Sequence, residues 1–193
     1  MTRSTEKSTT MLILASKSPR RNELLKLTGY SFLTVPAVKD ENVPSGTAPG
    51  DAVLMLSQQK AEEISESHPN DIVIGADTVV ALGNNIMGKP KDEADAFNML
   101  KALSGKTHTV LTGVCIISPD KKINFYEQTE VEFYTLGENE IMQYIASGEP
   151  MDKAGAYGIQ EKGALFVKRI NGDFYNVVGL PVARLARELK SLM

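Results

Sequence analysis

The chain has 193 residues, 42% of them hydrophobic and 23% charged, with a net charge of −3 and a single cysteine. That length holds one large or two small domains with a real core, and the mild acidity gives no general attraction for nucleic acid or an anionic membrane, so any basic site must be local and suits a small anion better than a polymer. One cysteine, Cys115, excludes an internal disulfide and a cysteine-rich metal site, in keeping with a reducing cytoplasm.

Residues 1–10, MTRSTEKSTT, are polar, lack the apolar centre of a signal peptide and read as a disordered lead. No apolar run approaches the roughly 20 residues that span a bilayer, since even DIVIGADTVVALG is interrupted by Asp77. A soluble protein is expected.

Leu12 to Ala15 read as a short buried strand, and leucines 24, 25 and 27 give the following segment one apolar helical face. Ser18 is a good N-cap and Pro19 a good first helical residue. The next residues, Arg20 and Arg21, put two positive charges at the positive end of the helix dipole, at a cost of about 0.3–1 kcal/mol each, so something must offset them. YSFLTV reads as a strand, and PAVKDENVPSGTAPGD, with Asp40 and Glu41, as a loop. Asp51 then caps a helix to about Ser67 that carries Lys60. IVIGAD and TVVALG follow as a buried strand and its continuation, Gly83-Asn84-Asn85 turns the chain, and IMGKP returns. Asp92 caps a helix ending near LSGKT. HTVLTGVCIIS and INFYEQTEVEFYTL, joined by PDKK, form a long hairpin, and Glu138 to Ala146 a helix. After the glycine-dotted SGEPMDKAGAYGIQEKG come strands ALFVKRI and FYNVV around an Asn171-Gly172-Asp173 turn, then a helix from Pro181 to Leu192. Strands and helices alternate first and strands dominate later, which predicts an α/β protein with a mixed sheet and two lobes around a cleft.

Several side chains suit phosphate chemistry. Ser16 and Ser18 flank a strand-to-helix turn with free N–H groups, and with the Arg20 and Arg21 guanidinium forks they form an anion site fit for a polyphosphate. A solvated arginine pair is the competing reading. Asp77 ends the buried run IVIGAD, where α/β proteins place ligands, although such an aspartate also caps turns. Phosphates near carboxylates call for Mg²⁺ or Mn²⁺ held by hard oxygens, a task Glu41 and Asp77 can share. Lys60 and Lys89 add cations, the latter fixed by the proline of GKP. In DKAGAYGIQ the small residues allow close backbone approach, and the Gln160 amide matches N3–H and O4 of uracil or thymine. His68, His108 and Cys115 are assigned to core or surface.

Together these segments resemble the Maf family of nucleoside triphosphate pyrophosphatases, through LASKSPRR, GADT, GKP, LSGKTHTVLTGV and DKAGAYGIQEKGALFVKRINGDFYNVVGLP, over nearly the whole chain after residue 10. The resemblance implies one domain over residues 11–193, an elongated mixed sheet flanked by helices like that of inosine triphosphate pyrophosphatases, and a nucleotide cleft between lobes. It implies that Asp77 is catalytic, either orienting or deprotonating water or holding the metal, and that Ser16, Arg20, Lys60 and Lys89 meet the phosphates. Glu41 matches the metal-associated acid, with Asp40 as the alternative. Arg20, Thr78 and Gln160 match the branch acting on dTTP and UTP, which yields the monophosphate and pyrophosphate. A cytoplasmic enzyme acting on free nucleotide follows, with a homodimer left open. The alternative is a nucleotide-binding regulator of septum formation without essential turnover, against which Asp77 and Glu41 argue, since a binder gains little from acids beside a polyanion.

Overall fold

A computed structural model describes residues 10–192, so the polar lead lies, but for Thr10, outside the described residues. Leu12–Ala15 forms β1, buried throughout, with β2 (Phe32–Thr34) and β3 (Ile72–Leu82) parallel on its two sides. Parallel neighbours need crossovers, supplied by α1 (Pro19–Lys26) and α2 (Pro49–Ser65). Antiparallel strands extend the sheet: β4 (Asn85–Met87) folds back on β3, β5 (Thr107–Ile117) takes its other edge, β6 (Lys122–Phe133) follows as the expected hairpin, and β7 (Val167–Asn171) pairs with β6. The result is the expected mixed sheet, seven strands with helices on both faces.

Side chains alternate along β3 and decide what covers each face. Val73, Gly75, Asp77 and Val79 face α2, and the two glycines beneath that helix govern its height. A Cβ on Gly75 would lie 2.2 Å from the Ser57 carbonyl oxygen, and one on Gly113 of β5 would lie 2.2 Å from that of Val53. The helix backbone therefore rests directly on the sheet. The opposite face carries two apolar cores. One packs Leu24 and Leu25 of α1 and Leu185 and Leu189 of α6 (Val182–Lys190) over β1 and β3. The other packs Leu100 and Leu103 of α3 (Glu93–Leu103) and Ile141 and Tyr144 of α4 (Glu138–Ile145) over Val110, Val131 and Phe133. Among the described residues no helix is long and apolar enough to cross a membrane.

Three expectations are corrected. FYNVV is a helix, α5 (Phe174–Val178), and not a strand. Asp173 caps it by accepting from the Tyr175 N–H at 2.8 Å, Gly179 ends it at φ 129°, and Asn176 turns inward to a wholly buried position between the two cores. Tertiary hydrogen bonding overrides the β preference of the segment. The strand before it is shorter than expected, because Lys162–Phe166 forms a 3₁₀ turn. Asp51 does not cap α2: the helix starts earlier, at Pro49, and Asp51 lies in its first turn, where a carboxylate still suits the dipole.

Replacing Gly75 by alanine forces backbone apart from backbone, with no flexible side chain to give way. The variant should lose about 3 kcal/mol or more, the upper range for overpacking. Urea denaturation reads this directly, and an unchanged midpoint would contradict the seat of α2 on the sheet.

Candidate active site

On one edge β3 is paired with β5 from Val73 to Ala81. On its other edge β1 ends opposite Gly75, and β4 begins only at Val80. Ala76 to Val79 therefore border a gap in the sheet, and a cleft of about 560 Å³ opens there. Asp77 does not end its strand, as the sequence suggested; it is central in β3, and the end of β1 creates the opening. Asp77 and Thr78 reach into the cleft from opposite faces.

On the α2 face, the Lys60 ammonium contacts Asp77 Oδ1 and lies 3.0 Å from Glu41 Oε1. The Lys60 and Asp77 side chains are each 14% exposed, whereas Glu41 is 47% exposed. One positive charge sits between two negative ones. Glu41 comes from the long loop before α2, which is tied to that helix: Glu63 accepts from the Val38 and Lys39 N–H groups at 2.8 and 3.0 Å, and Gln59 exchanges hydrogen bonds with the Asn42 backbone. Glu41 lines the cleft, and Asp40 does not.

On the other face the arginine puzzle resolves. Ser18 caps α1 by accepting from the Arg21 N–H at 3.4 Å. Arg20 Nη1 lies 3.6 Å from Asp152 Oδ2. Arg21 Nε donates to the Gly179 carbonyl at the C-terminal end of α5 (2.9 Å), and its Nη2 donates to Thr78 Oγ1 (3.0 Å). Burial pulls the Arg21 guanidinium below its ordinary pKa while Asp77 raises it, and it stays charged. Each arginine at the start of α1 is thus offset by an acceptor from the distant C-terminal third of the chain.

Lys89 is exposed at the cleft, with no carboxylate within ion-pair distance among the described residues; the preceding Gly88 carbonyl accepts from the Gly155 N–H at 3.0 Å. Gln160 lines the same cleft, exposed, and among the described residues nothing hydrogen-bonds its amide. Ser16 stands apart: buried, accepting from the Ser18 N–H at 3.1 Å, it lines a separate hollow with Asn22 and Thr34.

Residues 11–192 match the sequence profile of the family described as Maf-like protein. The chain belongs to the Maf family. Among its relatives, a dTTP/UTP pyrophosphatase of Bacillus mycoides (strain KBAB4) is 55% identical over 179 residues, covering 93% of this chain and 94% of the relative. Another protein so named, from Bacillus cytotoxicus, is 55% identical over 178 residues, covering 92% and 93%. Among solved structures, the Staphylococcus aureus Ham1 protein aligns over 95% of this chain and all of that one, with a TM-score of 0.52 at 15% identity, a likeness of fold.

In this Maf chain the cleft holds residues that sequence reasoning passed over. Lys153 is buried, its ammonium 2.6 Å from the Glu149 carbonyl and 2.8 Å from Asp152 Oδ1, so Asp152 is shared between Lys153 and Arg20. Their signal was the adjacent opposite charges at the head of DKAGAYGIQ. Gly155 and Ala156 both take left-handed φ, 68° and 59°, which is uncommon for alanine and bends the segment sharply ahead of Gln160. Glu149 anchors the loop by accepting from the Tyr144 hydroxyl at 2.8 Å and the Lys162 and Gly163 N–H groups. No cluster of three metal-type side chains occurs among the described residues. The carboxylate oxygens of Glu41 and Asp77 nevertheless converge on one cation, the Lys60 ammonium. Two hard carboxylate oxygens are the donor type that a hard divalent cation takes.

Behind the Gln160 loop, His108 is buried with Nε2 2.8 Å from the Tyr157 hydroxyl and Nδ1 without a partner among the described residues. Burial pushes its pKa down to about 4. The folded protein keeps this imidazole neutral, while the unfolded chain protonates it near its ordinary value of about 6.5, so stability falls as pH drops from about 6.5 towards 4. From this group alone the loss at about pH 5, relative to about pH 7, should be about 2 kcal/mol. Denaturation of wild type and His108→Gln at both pH values checks it: the variant should lack that share of the loss, and identical pH dependence would contradict the assignment.

Proposed function

We propose that this protein hydrolyses dTTP and UTP to the nucleoside monophosphate and pyrophosphate. The observation that carries the reading is 55% identity, across almost the full length of both chains, to proteins named for that activity. The cleft's chemistry supports it. Arg20, Arg21, Lys60 and Lys89 bring four cationic side chains to one opening in an otherwise acidic protein, which suits a triphosphate. Catalysis at phosphorus depends chiefly on placing the groups and neutralising charge.

In this reading the phosphates lie along the mouth of the gap between the α1 arginines and Lys89. Asp77 offers Oδ2, which Lys60 does not engage, to orient a water and take its proton as the oxygen attacks the α-phosphorus. The bond from the α-phosphorus to the bridging oxygen breaks, and pyrophosphate leaves with its charge spread over the cationic side chains. Glu41 and Asp77 would hold a Mg²⁺ or Mn²⁺, which when bound supplies further charge neutralisation on the phosphates. Ser16 acts on the phosphates only through the α1 turn, by accepting from the Ser18 N–H. Gln160 reads the base: its unrestrained amide turns its oxygen to N3–H and its nitrogen to O4 of uracil or thymine. The reading treats residues 11–193 as one domain of a cytoplasmic enzyme acting on free nucleotides.

Incubation of dTTP or UTP with the protein and Mg²⁺ or Mn²⁺ should give monophosphate and pyrophosphate as the first products on chromatography, and initial formation of diphosphate and orthophosphate would refute the reading. Asp77→Asn keeps the side-chain shape and loses the basic oxygen, so turnover should fall about 100-fold or more while nucleotide still binds. A variant with near wild-type turnover would make Asp77 structural.

A further inference from the structure

Behind Arg21 a chain of hydroxyl groups runs across the sheet face opposite α2. Thr78 and Thr112 are cross-strand partners in β3 and β5, with their Oγ1 atoms 2.9 Å apart. Thr112 Oγ1 also donates to the Asn176 carbonyl of α5 at 2.9 Å. A hydroxyl has one proton to give. Because Thr112 spends its own on Asn176, the shared proton between the threonines belongs to Thr78, and Thr78 faces Arg21 as an acceptor only. Arg21, which has only donors, fits the end of that chain.

The far end is immobilised. Asn176 is wholly buried, and its Nδ2 donates to the Val110 carbonyl and to Thr129 Oγ1, each at 3.0 Å. Thr129 donates in turn to the Asp173 carbonyl at 3.0 Å, ahead of α5, while the Gly179 carbonyl at the other end of α5 receives Arg21 Nε. The guanidinium is therefore gripped at two points that both refer back to α5. Its Nη1 edge has no protein acceptor among the described residues, and Arg21 lines the cleft.

We propose that Thr112 is a positioning residue: it sets the direction of the Thr78 hydroxyl, and through it presents the free edge of Arg21 to the substrate's phosphates. The proposal rests on the reading that this cleft receives a nucleoside triphosphate. If Thr112 merely filled the polar waist between the two cores, its hydroxyl would matter to stability and not to the ligand.

Thr112→Val removes the hydroxyl at nearly constant shape. Binding of α,β-imido-dUTP, followed by calorimetry, should weaken about tenfold, the upper range for one hydrogen bond, with a matching rise in KM for UTP and kcat changed less than about twofold. Thr112→Ser should restore binding, and in an Arg21→Lys background Thr112→Val should add little. A Thr112→Val protein that is less stable yet binds the analogue as wild type does would overturn the proposal. So would losses that simply add to those of Arg21→Lys, or a wild type that does not bind the analogue. A wild type that binds without turnover would refute the enzyme reading and leave the binding ratio to decide the role of Thr112.

Discussion

The Lys60 ammonium lies between the carboxylates of Asp77 and Glu41, and the position of that charge depends on two residues that have no side chain. Gly75 and Gly113 let the α2 backbone settle onto β3 and β5, so that Lys60, next in the chain to Ala61, meets Asp77 one alternation beyond Gly75. Raising the helix by one methyl group would draw the lysine away and leave two acids facing each other in a partly desolvated cleft. Removing one member of the largely buried Lys60–Asp77 pair costs more than the pair contributes as a whole. The arrangement is therefore better understood as specifying a site than as stabilising a fold.

The sheet's topology supplies the opening that this charge occupies. β1 is short because its chain must turn into α1 at Ser18, and β4 is short because it only folds back from a turn, whereas β3 runs past both. The uncovered edge between them is where backbone and side chains of β3 become accessible. α5 crosses beneath, between the two apolar cores, and its polar contacts with Thr112, Thr129 and Arg21 close the waist that neither core fills. The cleft is thus floored by hydrogen bonds from the C-terminal third and walled by charges from the N-terminal half together with Asp152 and Lys153.

Much of this was legible locally. Ser18-Pro19, Asp92 and the PDKK turn act over a few residues, so the start of α1, the start of α3 and the β5–β6 hairpin followed from sequence. The arginine pair at a helix N-terminus announced a need for distant acceptors, but no local rule says that they are Asp152 and the Gly179 carbonyl. FYNVV misled because its strand preference is intrinsic, while the bonds that make it helical reach Val110 and Thr129. Asp77 reads from sequence as the end of a buried run, but the strand continues, and the opening belongs to the edge of its neighbour. Lys153 escaped notice because a buried lysine is recognised by what surrounds it. Ser16 neighbours the phosphate residues in sequence, yet its side chain faces a different hollow.

Grouping the cations on the phosphates and Asp77 on a water leads to one geometric claim, that the nucleophile attacks the α-phosphorus. Hydrolysis of UTP in ¹⁸O-labelled water, with mass spectrometry of both products, tests it most directly. The account predicts one labelled oxygen in the monophosphate and none in the pyrophosphate. Label in the pyrophosphate, with unlabelled monophosphate, would mean attack at the β-phosphorus and would contradict it.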